Sequence, residues 1–344
     1  MRISSVGMLI SKPVHGPRRQ PGAVPWRLPA PSPVAGDLER NRGWRSRQSY
    51  RKDAGMTLKI GLQLFSVRNS LSQNPWGTLE AVAKAGFTFL EAANHNAAED
   101  PGVGFGVDAK PLREALDDLG LAIVGCHVNP LRLDILPRAL DYQAELGNSR
   151  IGCDIEFYPA GGLDYVLRRA DTFNRVGALA KDRGMRFYYH NHFQEFQRID
   201  GRLVYEILLE NTDPELVDLQ MDVYWMYRGG QDAVEWMKRC ADRVILLHQK
   251  DFPKNAPQPL NLYDGVVDPD SDIDLDLFLD RVDPACFTEV GTGTLPIGDI
   301  LETAATLPRL EYVFLEQDHT TMNEIDSIRT SREAFARLGD VAWS

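Results

Sequence analysis

From residue 58 onward the chain alternates short apolar runs with longer stretches whose apolar residues fall three and four apart. The short runs predict eight strands, at 58–64, 87–91, 122–127, 150–155, 186–190, 216–222, 244–248 and 312–316. The longer stretches predict helices at 76–84, 109–119, 133–146, 163–183, 201–210, 232–240, 297–306 and 324–337. Several of these helices stop at a glycine able to take the left-handed cap, among them Gly86, Gly120, Gly147 and Gly184. Strands that are apolar along their whole length, each followed by a helix, predict a parallel sheet covered by helices. Eight such units are the number that closes a barrel, so residues 56–344 are expected to form one (β/α)8 TIM barrel. The runner-up, an open doubly wound sheet, would need a glycine-rich phosphate loop after its first strand, and none follows it. The segment Gly102-Val103-Gly104-Phe105-Gly106 follows no predicted strand and reads as a loop beside the barrel mouth.

Residues 1–55 show no such periodicity. They hold 7 of the 21 prolines and 11 Lys/Arg against 3 Asp/Glu, a composition that predicts a disordered extension. The run from Ile3 to Ser11 is too short and polar for a secretory signal, which leaves a transit segment or a true start at Met56 as readings. The net charge of -11 therefore hides an acidic body, with 27 Lys/Arg against 46 Asp/Glu beyond residue 55. That balance disfavours nucleic acid as a partner. No apolar run is long enough for a membrane span. Cys126, Cys153, Cys240 and Cys286 form no CxxC pair, which predicts reduced thiols and a cytoplasmic protein.

Active sites of such barrels form at the carboxyl ends of the strands. Those ends carry Glu91, His127, Glu156, His190 with His192, Asp222, His248 and Glu316, so seven of the eight finish at or beside an ionisable or ligating group. A single polar residue at a strand end is what a chain emerging into water gives anyway. Four of the 7 histidines at such ends is a stronger pattern. Mixed imidazole and carboxylate donors suit a divalent ion such as Mn, Zn, Co or Fe better than Ca or Mg. The last four strands offer His190, Asp222, His248 and Glu316 to one ion, with Glu156 and His192 in the next ring as proton-transfer groups or alternative ligands.

At this point the sequence resembles the xylose isomerase-like barrel superfamily, and in particular its sugar phosphate isomerase/epimerase branch. The resemblance rests on six ordered matches. They are Gly61-Leu62-Gln63-Leu64-Phe65-Ser66-Val67-Arg68, Tyr189-His190-Asn191-His192, Asp222-Val223-Tyr224-Trp225 followed by Gly229-Gly230, His248-Gln249-Lys250-Asp251, Val290-Gly291-Thr292-Gly293 and Phe314-Leu315-Glu316-Gln317-Asp318. It implies a single divalent ion, most often Mn, held by one group from each of the last four strands, with Asp222, His248 and Glu316 carried over by position. At the fifth strand many relatives have Glu where this sequence has His190. His190, His192 and Glu156 are therefore the contenders for the fourth ligand, and a two-glutamate proton shuttle would lack one carboxylate.

The expected chemistry is proton abstraction beside a carbonyl through an enediolate. Glu316 is expected as ligand and base, and His192 or Glu156 as second acid/base, a histidine there titrating near neutrality. Lys250 is expected to donate to a substrate oxygen, or else to form an ion pair with Asp251. His127 would bind a hydroxyl or support a ligand. Trp225, Tyr224 and Phe65 offer flat faces for a sugar, and Arg68 meets a phosphate or carboxylate, or an acid of the body. Residues 253–276 read as a lid or subunit contact, and a homo-oligomer is compatible with the pattern. The first functional reading is an isomerase or epimerase of a sugar or keto-sugar. The second is a lyase acting on a 3-keto-glycoside or inositol derivative. Abasic-site cleavage and a ligand-binding barrel without turnover come last.

Overall fold

The computed structural model describes residues 58–335, 337 and 338, and the extension expected at 1–55 lies outside them. Eight parallel strands close into a barrel: β1 Lys59–Gln63, β2 Phe89–Asn94, β3 Ala122–Val128, β4 Arg150–Cys153, β5 Arg186–His190, β6 Val217–Asp222, β7 Val244–Gln249 and β8 Tyr312–Leu315. Each strand pairs with its neighbours in sequence, and β8 returns to β1. The outer helices are α1 Arg68–Gln73, α2 Pro75–Lys84, α3 Ala109–Leu119, α4 Leu136–Leu146, α5 Leu163–Lys181, α6 Val204–Asn211, α7 Val223–Arg228, α8 Ala233–Arg239, α9 Leu275–Arg281, α10 Ile297–Ala304 and α11 Glu324–Phe335. Gly120 and Gly147 cap α3 and α4 in the left-handed region, at φ 67° and 90°. A two-residue hairpin, Arg198–Ile199 with Arg202–Leu203, follows β5.

Side chains alternate in and out along each strand. Phe89, Tyr188, Leu246, Tyr312 and Phe314 form an apolar layer inside the barrel. Two residues further along their strands stand Glu91, His190, His248 and Glu316, so the polar site is the next rung of the same inward ladder. Two glycines make room for the rings. A Cβ on Gly61 would lie 2.4 Å from Phe314, and one on Gly152 would lie 2.1 Å from Tyr188.

Two expectations about elements change. β2 runs to Asn94, because its register with β3 shifts between Leu90 and Glu91, and Glu91 therefore lies inside the barrel and not at its rim. Residues 253–276 are also no free lid. Leu262 and Ile273 are buried, and the Arg228 guanidinium donates to Pro259 O and to Gln258 Oε1, both at 2.6 Å. Tyr263 Oη donates to Phe193 O at 3.1 Å, and Asp272 accepts from Ala160 N at 2.7 Å.

Candidate metal centre and its surroundings

His190 ends β5, Asp222 ends β6, His248 lies near the end of β7 and Glu316 follows β8. One donor atom from each falls within 4.8 Å of the other three, and all four residues are buried. Asp222 divides its work between its oxygens. Oδ1 accepts from Trp225 N at 2.9 Å and caps α7, while Oδ2 turns to the centre and accepts from Lys250 Nζ. Lys250 Nζ also donates to Glu316 Oε2 at 2.5 Å and lies 3.7 Å from Asp318. Burial opposes its charge, yet Asp222, Asp318 and Glu316 hold its ionisation above the ordinary lysine range.

His248 is gripped at both ring nitrogens, by Glu316 at Nδ1, 2.7 Å away, and by Glu91 at Nε2. Burial disfavours its charge, but the Glu316 and Glu91 carboxylates raise it to about 10. Burial likewise works against ionised Glu91, and His127 and His248 nonetheless hold it below the ordinary value. Glu91 also accepts from Gln63 and Gln220 at 2.7 Å and from the Tyr188 hydroxyl. His127 joins this set, its Nε2 2.7 Å from Gln220 Oε1 and its ring 5.1 Å from that of His190.

The donor set fits a divalent ion. His190 Nδ1 is buried with no hydrogen-bond partner, and burial followed by His248 keeps the ring neutral, so it has a lone pair to give. A carboxylate behind His248 Nε2 is the support that ligating imidazoles ordinarily have, leaving Nδ1 for the metal. Two imidazoles and two carboxylates suit Zn, Co, Mn or Fe.

Of the three contenders for the fourth ligand, His190 is the one in the cluster. Glu156 turns instead toward α5, where it accepts from Arg169 at 2.7 Å and Tyr165 at 3.0 Å. The His192 ring lies 4.8 Å from that of His190 and packs on Trp225 and Phe278. Burial, then Lys250, push its ionisation down to about 3, so it stands neutral and does not titrate near neutrality as expected. Trp225 is buried beside it, its indole nitrogen without a hydrogen-bond partner. Arg68 donates to Phe65 O and Asp318 O and lies over the Phe65 ring, which makes it a brace between the loops after β1 and β8.

Glu91 is legible in the sequence only as a strand end, and the roles of Gln63, Gln220 and Tyr188 emerge only in the fold. Their signal was the two-residue spacing from Gly61, Asp222 and His190, which puts them on the inward face.

An inosose dehydratase of Clostridium perfringens is 34% identical over 140 residues, 39% of this chain and 41% of that protein. The chain thus spans about two fifths of the length of the curated relatives it matches. A solved sugar phosphate isomerase/epimerase from Parabacteroides distasonis superposes with a TM-score of 0.63 at 25% identity, covering 83% of this chain and 96% of that one. An IolI protein with a bound zinc atom shares the fold, with a TM-score of 0.57 at 11% identity over 80% of this chain and 96% of its own. Residues 79–285 match the family model of xylose isomerase-like TIM barrels. Eight strands closed in sequence order, carrying their polar groups at the carboxyl ends, are what that match leads one to expect, and the chain belongs to the xylose isomerase-like TIM barrel family.

Proposed function

We propose that the chain is a divalent-metal-dependent lyase that takes a proton from the carbon beside a ketone and expels the oxygen substituent on the next carbon, its substrate a keto-inositol or keto-sugar. The observation that carries this reading is the pairing of a neutral imidazole, His192, with an ammonium, Lys250, around the four-donor cluster. A two-base epimerase also starts with one group bare and one protonated, but the two must face opposite sides of one carbon, whereas elimination needs a single base at the α-carbon and a cation on the enolate oxygen while the substituent leaves. His192 is the base in this reading, with Glu316 as the alternative, and Lys250 donates to the oxygen that gains charge. His190, Asp222, His248 and Glu316 would hold the ion, which when bound polarises the ketone and the adjacent hydroxyl. Trp225, with its free indole N–H, and Phe65 offer faces and a donor to the ring of the substrate. His127, its ring 5.1 Å from that of His190 and 5.6 Å from that of His248, packs beside both ligands in this reading.

The similarity to inosose dehydratases favours elimination, though over two fifths of their length. Isomerisation or epimerisation of a keto-sugar is the second reading, favoured by the solved structure of that description at 25% identity. Mn, Zn and Co are the ions to load first. The test is incubation of metal-loaded protein with inososes, 3-keto-glycosides and ketoses in deuterated water. Formation of an unsaturated ketone, or of its diketone tautomer deuterated at the carbon that lost oxygen, marks the lyase, and a deuterated epimer or isomer marks the second reading. Neither exchange nor elimination on any ketone sinks both.

A further inference from the structure

A second pair of groups stands at the barrel mouth, outside the cluster. His95 follows the last residue of β2, and Asp154 follows the last residue of β4. β3 separates those strands, yet His95 Nδ1 lies 3.1 Å from Asp154 Oδ2. Asn129, just past β3, donates to the same oxygen at 3.0 Å, so three consecutive loops converge on one carboxylate.

A carboxylate at Nδ1 fixes the tautomer and orientation of an imidazole and directs Nε2 away from it. Here Nε2 bonds to nothing among the described residues, and the side chain is 30% exposed while Asp154 is 8% exposed. The Phe65 ring holds the imidazole in an edge contact at 5.7 Å. The charged groups that face His95 are Asp154 after β4, Glu316 after β8 and Arg68 at the start of α1. Burial and Arg68 disfavour the imidazolium, but Asp154 and Glu316 outweigh them and raise its ionisation above the ordinary histidine value. Arg68 ties Phe65, which touches His95, to Asp318, which lies 3.7 Å from Lys250 Nζ, so the pair and the cluster share one mouth.

We infer that His95, oriented by Asp154, is the catalytic acid that protonates the departing oxygen in the elimination, an inference that rests on the lyase reading above. The base removes the α-proton, and the C–H electron pair passes into the enediolate. That pair then forms the C=C bond as the neighbouring C–O bond breaks, and the departing oxygen takes the proton from Nε2 and leaves as water or an alcohol. His95 ends neutral and the base protonated, and solvent restores both, with no oxidant or reductant consumed.

The inference is tested with metal-loaded wild type, His95→Gln and Asp154→Asn acting on an inosose in deuterated water. α-Deuterium in the recovered substrate and formation of the unsaturated ketone are followed separately. His95→Gln is expected to slow elimination by about a hundredfold or more while α-exchange persists. Asp154→Asn is expected to slow elimination less and to lower the His95 titration midpoint, read by NMR on the metal-free protein. Elimination unchanged in His95→Gln, or exchange lost in equal measure, overturns the inference while leaving the lyase reading in place. An unmoved His95 midpoint in Asp154→Asn overturns it as well. A wild type that exchanges without eliminating, on any ketone of the panel, removes both this role and the lyase reading, while the isomerase reading survives.

Discussion

Glu91 shows how one buried carboxylate organises a site it does not itself line. It is fully buried and accepts from Gln63, Tyr188, Gln220 and His248, so every lone pair has a donor. Removing its charge leaves those donors short and frees His248 to rotate. Glu91→Gln is expected to weaken metal affinity by about 10–100-fold, measured by calorimetric titration, the usual cost of losing the group behind a ligating histidine. An affinity equal to wild type would show that His248 is held by other means. His248 itself makes a second prediction. In the metal-free protein both of its nitrogens face carboxylates and its ionisation is raised to about 10, so it is protonated at neutral pH. Ligation requires one nitrogen bare, so metal binding at neutral pH should release about one proton from this residue. Calorimetry in buffers of different ionisation enthalpy reads that proton directly, and an enthalpy independent of buffer would contradict it.

At the scale of the element, the site depends on alternation along the strands being kept in register with the rings below it. Tyr188 reaches Glu91 only because β4 carries Gly152 where its ring passes, with space for a hydrogen and not for a methyl group. Gly152→Ala should cost about 1–3 kcal/mol of stability by overpacking, measured as a shift in the urea midpoint. It should also lower metal affinity, because Tyr188 would be displaced from Glu91. Strand positions were readable from the sequence because uninterrupted apolar runs have no other use in a chain of this composition. β5 coincides with its expected bounds, Arg186–His190, and α3 with its own, Ala109–Leu119. β2 did not, since a shift in pairing register leaves no mark in the sequence of one strand. The four donors His190, Asp222, His248 and Glu316 were legible for the same reason as the strands they follow. The turning of Glu156 toward Arg169 was not, because nothing in the local pattern says which way a side chain leaves the last residue of a strand.

For the molecule as a whole, two consequences follow from how charge and loops are tied to the barrel. Glu91 and Glu316 are held below the ordinary value of 4.5, so their stabilisation is present above that pH and is lost as pH falls through their folded values. His248 is raised from 6.5 to about 10, so its stabilisation is complete below 6.5 and is lost as pH rises through about 10. Raised Glu195 and Asp318 act in the same direction as His248, so the metal-free protein should lose stability as pH rises from about 6.5 toward about 10, as followed by thermal unfolding across pH. Stability that stays level up to about 10 would contradict the pairing at His248. The long segment after β7 is held through Arg228, which is fully buried and stacks on Phe252 at 5.2 Å. Arg228→Ala leaves buried carbonyls unpaired, at about 1–3 kcal/mol, and should raise hydrogen exchange in residues 253–274 while the strands stay protected.

The sequence by itself determined the architecture and the cast of donors. Hydrophobic period is a local property, strand ends in this fold are where chemistry collects, and four histidines at three of them stand out in a chain that has 7. Only the tertiary structure decided how those groups meet. Glu91 behind His248, Lys250 between Asp222 and Glu316, and His95 against Asp154 are each contacts between side chains on different strands or loops. Their distances are set by barrel closure and register, which no single segment encodes.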